Sequence, residues 1–64
     1  MKLNGQPAQI RTGETLLSLL EKLGHKPEHV AAELNGAIIP RENFAATILR
    51  ETDTLEVVCF VGGG

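Results

Sequence analysis

The chain opens on an alternation of apolar and polar residues: Met1 and Leu3 against Lys2 and Asn4. That is the two-residue period of a strand. Asn4-Gly5 follows, a pair suited to a type I′ hairpin turn because both central residues need positive φ. Gln6 to Ile10 reads as the returning strand. Pro7 has no N–H and belongs at that strand's start or edge. Met1, Leu3, Ala8 and Ile10 are expected to face the core.

The period then changes. After a connection over Arg11 to Glu14, the residues Leu16, Leu17, Leu19, Leu20 and Leu23 recur at helical spacing, with Ser18, Glu21 and Lys22 outward. Thr15 is placed to cap this helix through its hydroxyl. No Glu or Gln follows three residues later, so the reciprocal capping box is missing. Gly24 stands where a left-handed residue ends a helix, and Pro27 discourages continuation. These leucines are the largest apolar block in the chain, and such a face needs a sheet to cover it.

A second alternation runs from Val30 to Leu34, with Val30, Ala32 and Leu34 on one face. Asn35-Gly36 repeats the hairpin signal, and Ala37-Ile38-Ile39 is the partner strand, closed by Pro40. Arg41 to Ala46 reads as a turn or short helical piece with Phe44 plugging the core. Ile48 and Leu49 read as a short strand or packed loop. Glu51-Thr52-Asp53 is a turn in which Asp53 can bond nearby backbone. Thr54 to Val61 is the last strand, dense in β-branched residues. Its alternation sends Leu55, Val57, Cys59 and Val61 inward, and Glu56, Val58 and Phe60 outward. Val58 and Phe60, with Val61, are then candidates for docking a partner. The competing expectation is that Phe60 folds over a sheet edge or lies under the loop carrying Phe44. The order hairpin, helix, hairpin, connection, strand predicts an α+β fold: one twisted sheet of four to five strands with one main helix across it.

Composition narrows the function. Sixty-four residues with 42% hydrophobic content and a net charge of −2 form one small domain with an aliphatic core, since only two phenylalanines represent the aromatics. There is no basic cluster, and no Trp or Tyr on which bases would stack, which argues against nucleic acid. One cysteine excludes an internal disulfide. No apolar run reaches the ~20 residues of a membrane span, and no signal-peptide pattern is visible. A cytoplasmic protein is expected. His25 and His29 have metal-pair spacing, but Pro27 lies between them and no cysteine is near, so no metal is expected. Cys59 is expected to be a small buried hydrophobe without a chemical role. Glu33 and Glu42 read as solvated surface. No nucleophile–base set is arguable from spacing, and no phosphate-loop motif is present.

Gly62-Gly63-Gly64 follows the last strand directly. Glycine loses the most backbone entropy on ordering, so residues 62–64 are expected to be a flexible tail on a body spanning 1–61. From Val61 to Gly64 the tail would extend roughly 10–14 Å. Without Cβ atoms, Gly62 and Gly63 suit a narrow channel in a partner, into which the Gly64 carboxylate would be delivered. A carboxylate is a poor electrophile and requires activation, for which transfer of AMP from ATP is the biological route. This chain carries no ATP motif, so the activating site is expected on a partner. The activated acyl group would then accept an amine or sulfur.

Glu33-Leu34-Asn35-Gly36, Ile39-Pro40-Arg41, Phe44-Ala45, Asp53 and the strand into Val61-Gly62-Gly63-Gly64 together resemble the ThiS family, the sulfur carriers of thiazole biosynthesis. Asn4-Gly5, Gly13-Glu14-Thr15 and the leucine-rich helix match as well, so the resemblance covers essentially the whole chain. Phe44 stands where tryptophan is frequent. The resemblance implies a β-grasp, ubiquitin-like fold with a mixed sheet. It implies adenylation of Gly64 by an E1-like (ThiF-like) adenylyltransferase using ATP, with no cofactor bound by this chain. It further implies a sulfur donor such as a cysteine desulfurase, a C-terminal thiocarboxylate, and thiazole synthase (ThiG-like) as the enzyme that consumes it. The chain would be a protein cosubstrate and not an enzyme. Three alternatives share the fold: the small subunit of molybdopterin synthase, a ubiquitin-like protein modifier, and a non-covalent interaction module.

Overall fold

In the computed structural model, residues 1–60 are described. Two hairpins and one closing strand build a single five-stranded sheet. The strands are β1 (Lys2–Leu3), β2 (Gln6–Pro7), β3 (Val30–Leu34), β4 (Ala37–Ile39) and β5 (Thr54–Cys59). Their spatial order is β2-β1-β5-β3-β4. β5 therefore runs between the hairpins, parallel to β1 and antiparallel to β3. The mixed sheet is the consequence: each hairpin is antiparallel within itself, and only a non-local strand can join them.

Both hairpin turns have the geometry that their residues favour. Asn35 and Gly36 have φ of 52° and 87°, and Asn4 and Gly5 behave alike at 50° and 81°. Asn tolerates this left-handed region better than other residues with a Cβ. Helix α1 (Leu16–Lys22) starts at Thr15, whose hydroxyl oxygen accepts from Ser18 N–H at 3.1 Å. The other N–H groups of the first turn are also taken. Leu16 N–H donates to Thr47 O at 2.8 Å, and Leu17 N–H to Phe44 O at 3.1 Å. The 44–49 segment thus completes the helix start. The helix ends with Gly24 at φ 82°, Gly24 N–H on Glu21 O at 3.0 Å and His25 N–H on Leu20 O at 2.9 Å. That is the Schellman closure, and glycine provides it without steric cost.

The core lies between α1 and the inner sheet face. Leu16, Leu19 and Leu20 pack there with Val30, Ala32, Leu55 and Val57, and Phe44 and Leu49 seal one end. Phe44 is 2% exposed, as expected of the core plug. Met1, Leu3 and Ile10 pack against this cluster as half-buried residues.

Several expectations need correction. β2 ends at Pro7 instead of continuing to Ile10. Ala8 N–H still bonds Met1 O at 2.9 Å, and the chain then leaves the ladder for the helix. Leu23 is the C-cap residue and 46% exposed, not a core residue, because the closure at Gly24 leaves it at the rim. Cys59 is exposed, not buried. Its parity is right, but Leu55 is 0% and Val57 9% exposed, so core cover is already failing along this face before position 59. Ile48 is 55% exposed beside the buried Leu49. β5 ends at Cys59, although Phe60 N–H still donates to His29 O at 3.0 Å. Among the described residues, no helix is long and apolar enough to cross a membrane.

Candidate functional site

The helix covers one face of the sheet and leaves the other open. β5 delivers the chain to the edge of that open face. Val58 is 61% and Phe60 63% exposed, so neither the folded-edge nor the covered-by-loop expectation for Phe60 holds. Phe44 is buried in the core instead of lying over Phe60. Val61, Gly62, Gly63 and Gly64 lie outside the described residues.

Register assembles the rest of the face. Val58 stands opposite Ala31, and Glu56 opposite Glu33. Glu33 in turn stands opposite Ile38, which is 66% exposed. A shallow groove runs among Ala31, Glu33, Ile38, Glu56 and Val58. Sequence reasoning missed Ile38, although the two-residue Asn35-Gly36 turn pairs it with Glu33 by counting. It also treated Glu33 as fully solvated, whereas Glu33 is half-buried between its two neighbours. The pairing of Glu33 with Glu56 had no local signal, since it joins segments more than twenty residues apart.

The base of the site is held by the family-like residues. Asn35 donates its amide to Asp53 Oδ1 at 2.8 Å and accepts Thr54 N–H on Oδ1 at 2.9 Å. Asp53 Oδ2 accepts Arg50 N–H at 2.8 Å. Asn4 Oδ1 accepts Val57 N–H at 2.7 Å, tying the first turn to β5. These bonds fix where β5 starts and how it is registered, and therefore where Val58 and Phe60 stand.

Glu14, away from this face, serves the fold. Assigned to a simple connection by sequence, it is buried at 7% exposure. It accepts from Ser18 Oγ at 2.8 Å, Lys22 Nζ at 3.1 Å and Arg11 N–H at 3.2 Å. The Ser18 bond, followed by those from Arg11 and Lys22, holds its carboxyl below the ordinary carboxylate value. His25 and His29 are half-buried and not fully solvated. His29 Nδ1 is buried without a hydrogen-bond partner. Among the described residues, no group of three or more His, Cys, Asp or Glu is arranged to hold a metal ion.

The model of the ThiS family matches residues 1–64. The chain belongs to the ThiS family. The crystal structure of a thiamine biosynthesis protein (ThiS) from Geobacter metallireducens is similar, with a TM-score of 0.78 and 36% identity, covering 98% of this chain and 96% of that one. The five-stranded mixed sheet under one helix is the β-grasp fold expected from the resemblance. A sulfur carrier protein ThiS from Escherichia coli (strain K12) is 33% identical over 61 residues, covering 95% of this chain and 92% of its own length. A thiazole synthase from Magnetococcus marinus is 48% identical over 62 residues, covering 97% of this chain. The chain spans only 19% of that relative's length. For this ThiS-family chain, the open sheet face and the segment after Phe60 are the candidate functional site.

Proposed function

We propose that this chain is a sulfur carrier for thiazole formation in thiamine biosynthesis. The observation that carries the reading is the family match over residues 1–64, reinforced by a relative of nearly equal length named as a sulfur carrier. The Gly64 carboxylate attacks the α-phosphorus of ATP in the site of an E1-like adenylyltransferase. Pyrophosphate leaves and an acyl adenylate forms. Sulfur from a donor such as a cysteine desulfurase, carried as a persulfide and reduced to sulfide by a thiol that ends as a disulfide, then attacks the acyl carbon. AMP leaves, and the product is a thiocarboxylate. Sulfur is softer and more nucleophilic than the carboxylate oxygen it replaces, which is the reason for charging the carrier.

Thiazole synthase is the acceptor enzyme in this reading. The similarity to a segment of a protein named thiazole synthase supports that partner over a molybdopterin-forming one. The chain acts as a cosubstrate, with chemistry supplied by its partners. Its β-grasp body gives recognition, with Val58, Phe60 and Val61 as docking residues. Gly62 and Gly63 allow the terminus to enter a channel too narrow for side chains.

The test is intact mass spectrometry after incubation with ATP, the adenylyltransferase and a sulfide source, alongside a Gly64-deleted control. A sulfur-for-oxygen mass gain on the C-terminal peptide, absent from the control, is the expected result. An adenylate that gives amine adducts instead of sulfur would favour a protein modifier. No mass change with active partners would overturn the carrier reading.

A further inference from the structure

Glu33 and Glu56 face each other directly across the antiparallel β3–β5 pair. Residues so placed have Cβ atoms roughly 4.5–5.5 Å apart, and like charges there are destabilising. Both lie on the sheet face opposite the helix. Among the described residues neither carboxylate has a hydrogen bond or an ion pair; the ion pair present, Lys22–Glu14, ties the helix to the loop before it. Lys2 shares the open face, opposite Thr54 and two positions from Glu56, and among the described residues makes no ion pair either.

Exposed apolar side chains flank the two carboxylates. Ile38 adjoins Glu33 on one side. Val58 lies one row closer to the end of β5, opposite Ala31, with Phe60 beyond it. These three are 66%, 61% and 63% exposed. Alone, the folded chain gains nothing from this pattern: the charges repel and the apolar groups stay in water. One cation set between the carboxylates, with apolar groups beside it, relieves both penalties. An arginine does this best, since its planar fork can donate to two carboxylates while its faces cover apolar surface.

We infer that this face docks thiazole synthase through an Arg or Lys side chain inserted between Glu33 and Glu56, with the enzyme's apolar side chains covering Ile38, Val58 and Phe60. This rests on the carrier reading above, which requires an enzyme surface close to where the chain passes Phe60. Charge complementarity specifies the chemistry of the occupant. The two glutamates select the partner, and the apolar rim excludes water from the ion pair.

The experiment titrates the 64-residue chain into purified thiazole synthase from the same genome by calorimetry, at low and high salt. The E33Q/E56Q double variant is compared with wild type, and urea midpoints are measured for both. The expected result has three parts. Binding weakens at least about 10-fold, equivalent to about 1.4 kcal/mol; its salt dependence is reduced; and the urea midpoint is unchanged or higher, because a repulsion has been removed. Wild-type affinity in the double variant overturns the inference. So does a lowered midpoint that accounts for the loss, since the carboxylates would then serve the fold. Failure of the wild type to bind thiazole synthase also overturns it. The thiocarboxylate mass measurement is read independently, so the carrier reading stands or falls separately.

Discussion

The Asn35 side-chain amide donates to Asp53 Oδ1 at 2.8 Å, joining the β3–β4 turn to the residue just before β5. Asn35 also takes up Thr54 N–H on its own carbonyl oxygen at 2.9 Å, and its backbone N–H donates to Thr54 O at 2.8 Å. One side chain thereby sets both the left-handed turn and the register of the central strand. Asn35→Ala removes two side-chain hydrogen bonds at about 1 kcal/mol each and adds left-handed strain of roughly 1–2 kcal/mol. Urea unfolding should show a loss of about 3–4 kcal/mol. Asn35→Gly relieves the strain but not the lost bonds, and should fall between the alanine variant and wild type. Equal losses in the two variants would show that the left-handed φ contributes nothing.

Glu14 is expected to make the fold sensitive to acid. Its hydrogen bonds from Ser18, Arg11 and Lys22 lower its pKa in the folded chain from the ordinary value of 4.5. A carboxylate with a depressed folded pKa contributes fully above its unfolded value, and the contribution is lost as pH falls through the folded one. Urea midpoints of wild type should therefore drop more steeply below pH 4.5 than those of Glu14→Gln. Parallel pH profiles for the two proteins would remove Glu14 from the account.

Core and open face should separate cleanly under mutation. Leu20 is fully buried, and Leu20→Ala is expected to cost about 2–5 kcal/mol. Val58→Ala and Phe60→Ala, on the open face, should stay within about 0.5 kcal/mol of wild type while weakening binding to thiazole synthase. A core-sized loss for Phe60→Ala would contradict its exposure.

Gly63→Ala tests the channel argument. A methyl group obstructs passage through a narrow partner site, so adenylate formation should slow markedly while the urea midpoint remains that of wild type. Normal activation kinetics would mean that the partner's channel tolerates a side chain.

The elements with strong local signals were readable from sequence. Asn4-Gly5 and Asn35-Gly36 announce their turns because few residue pairs accept two consecutive positive φ values. Thr15 and Gly24 bound the helix because a cap and a left-handed closure need those residue types. The outward direction of Val58 and Phe60 follows from parity with Glu56. Cys59 and Leu23 were misjudged for the opposite reason: parity and helical spacing give a direction, but not how far the core extends. Glu14 was missed because its partners Ser18 and Lys22 become partners only once the helix and its preceding loop are folded together.

Local pattern in this chain thus dictates which segments turn, pair with their neighbour and bury one face, since φ preference and side-chain period act over a few residues. Pairing of distant segments was decided only by tertiary structure. β5 slots between two hairpins, parallel to one and antiparallel to the other. That placement sets Glu33 against Glu56 and gathers Ile38, Val58 and Phe60 on one open face. Such neighbours are separated by long stretches of chain, and what brings them together is burial of the shared leucine-rich core on the other side of the sheet.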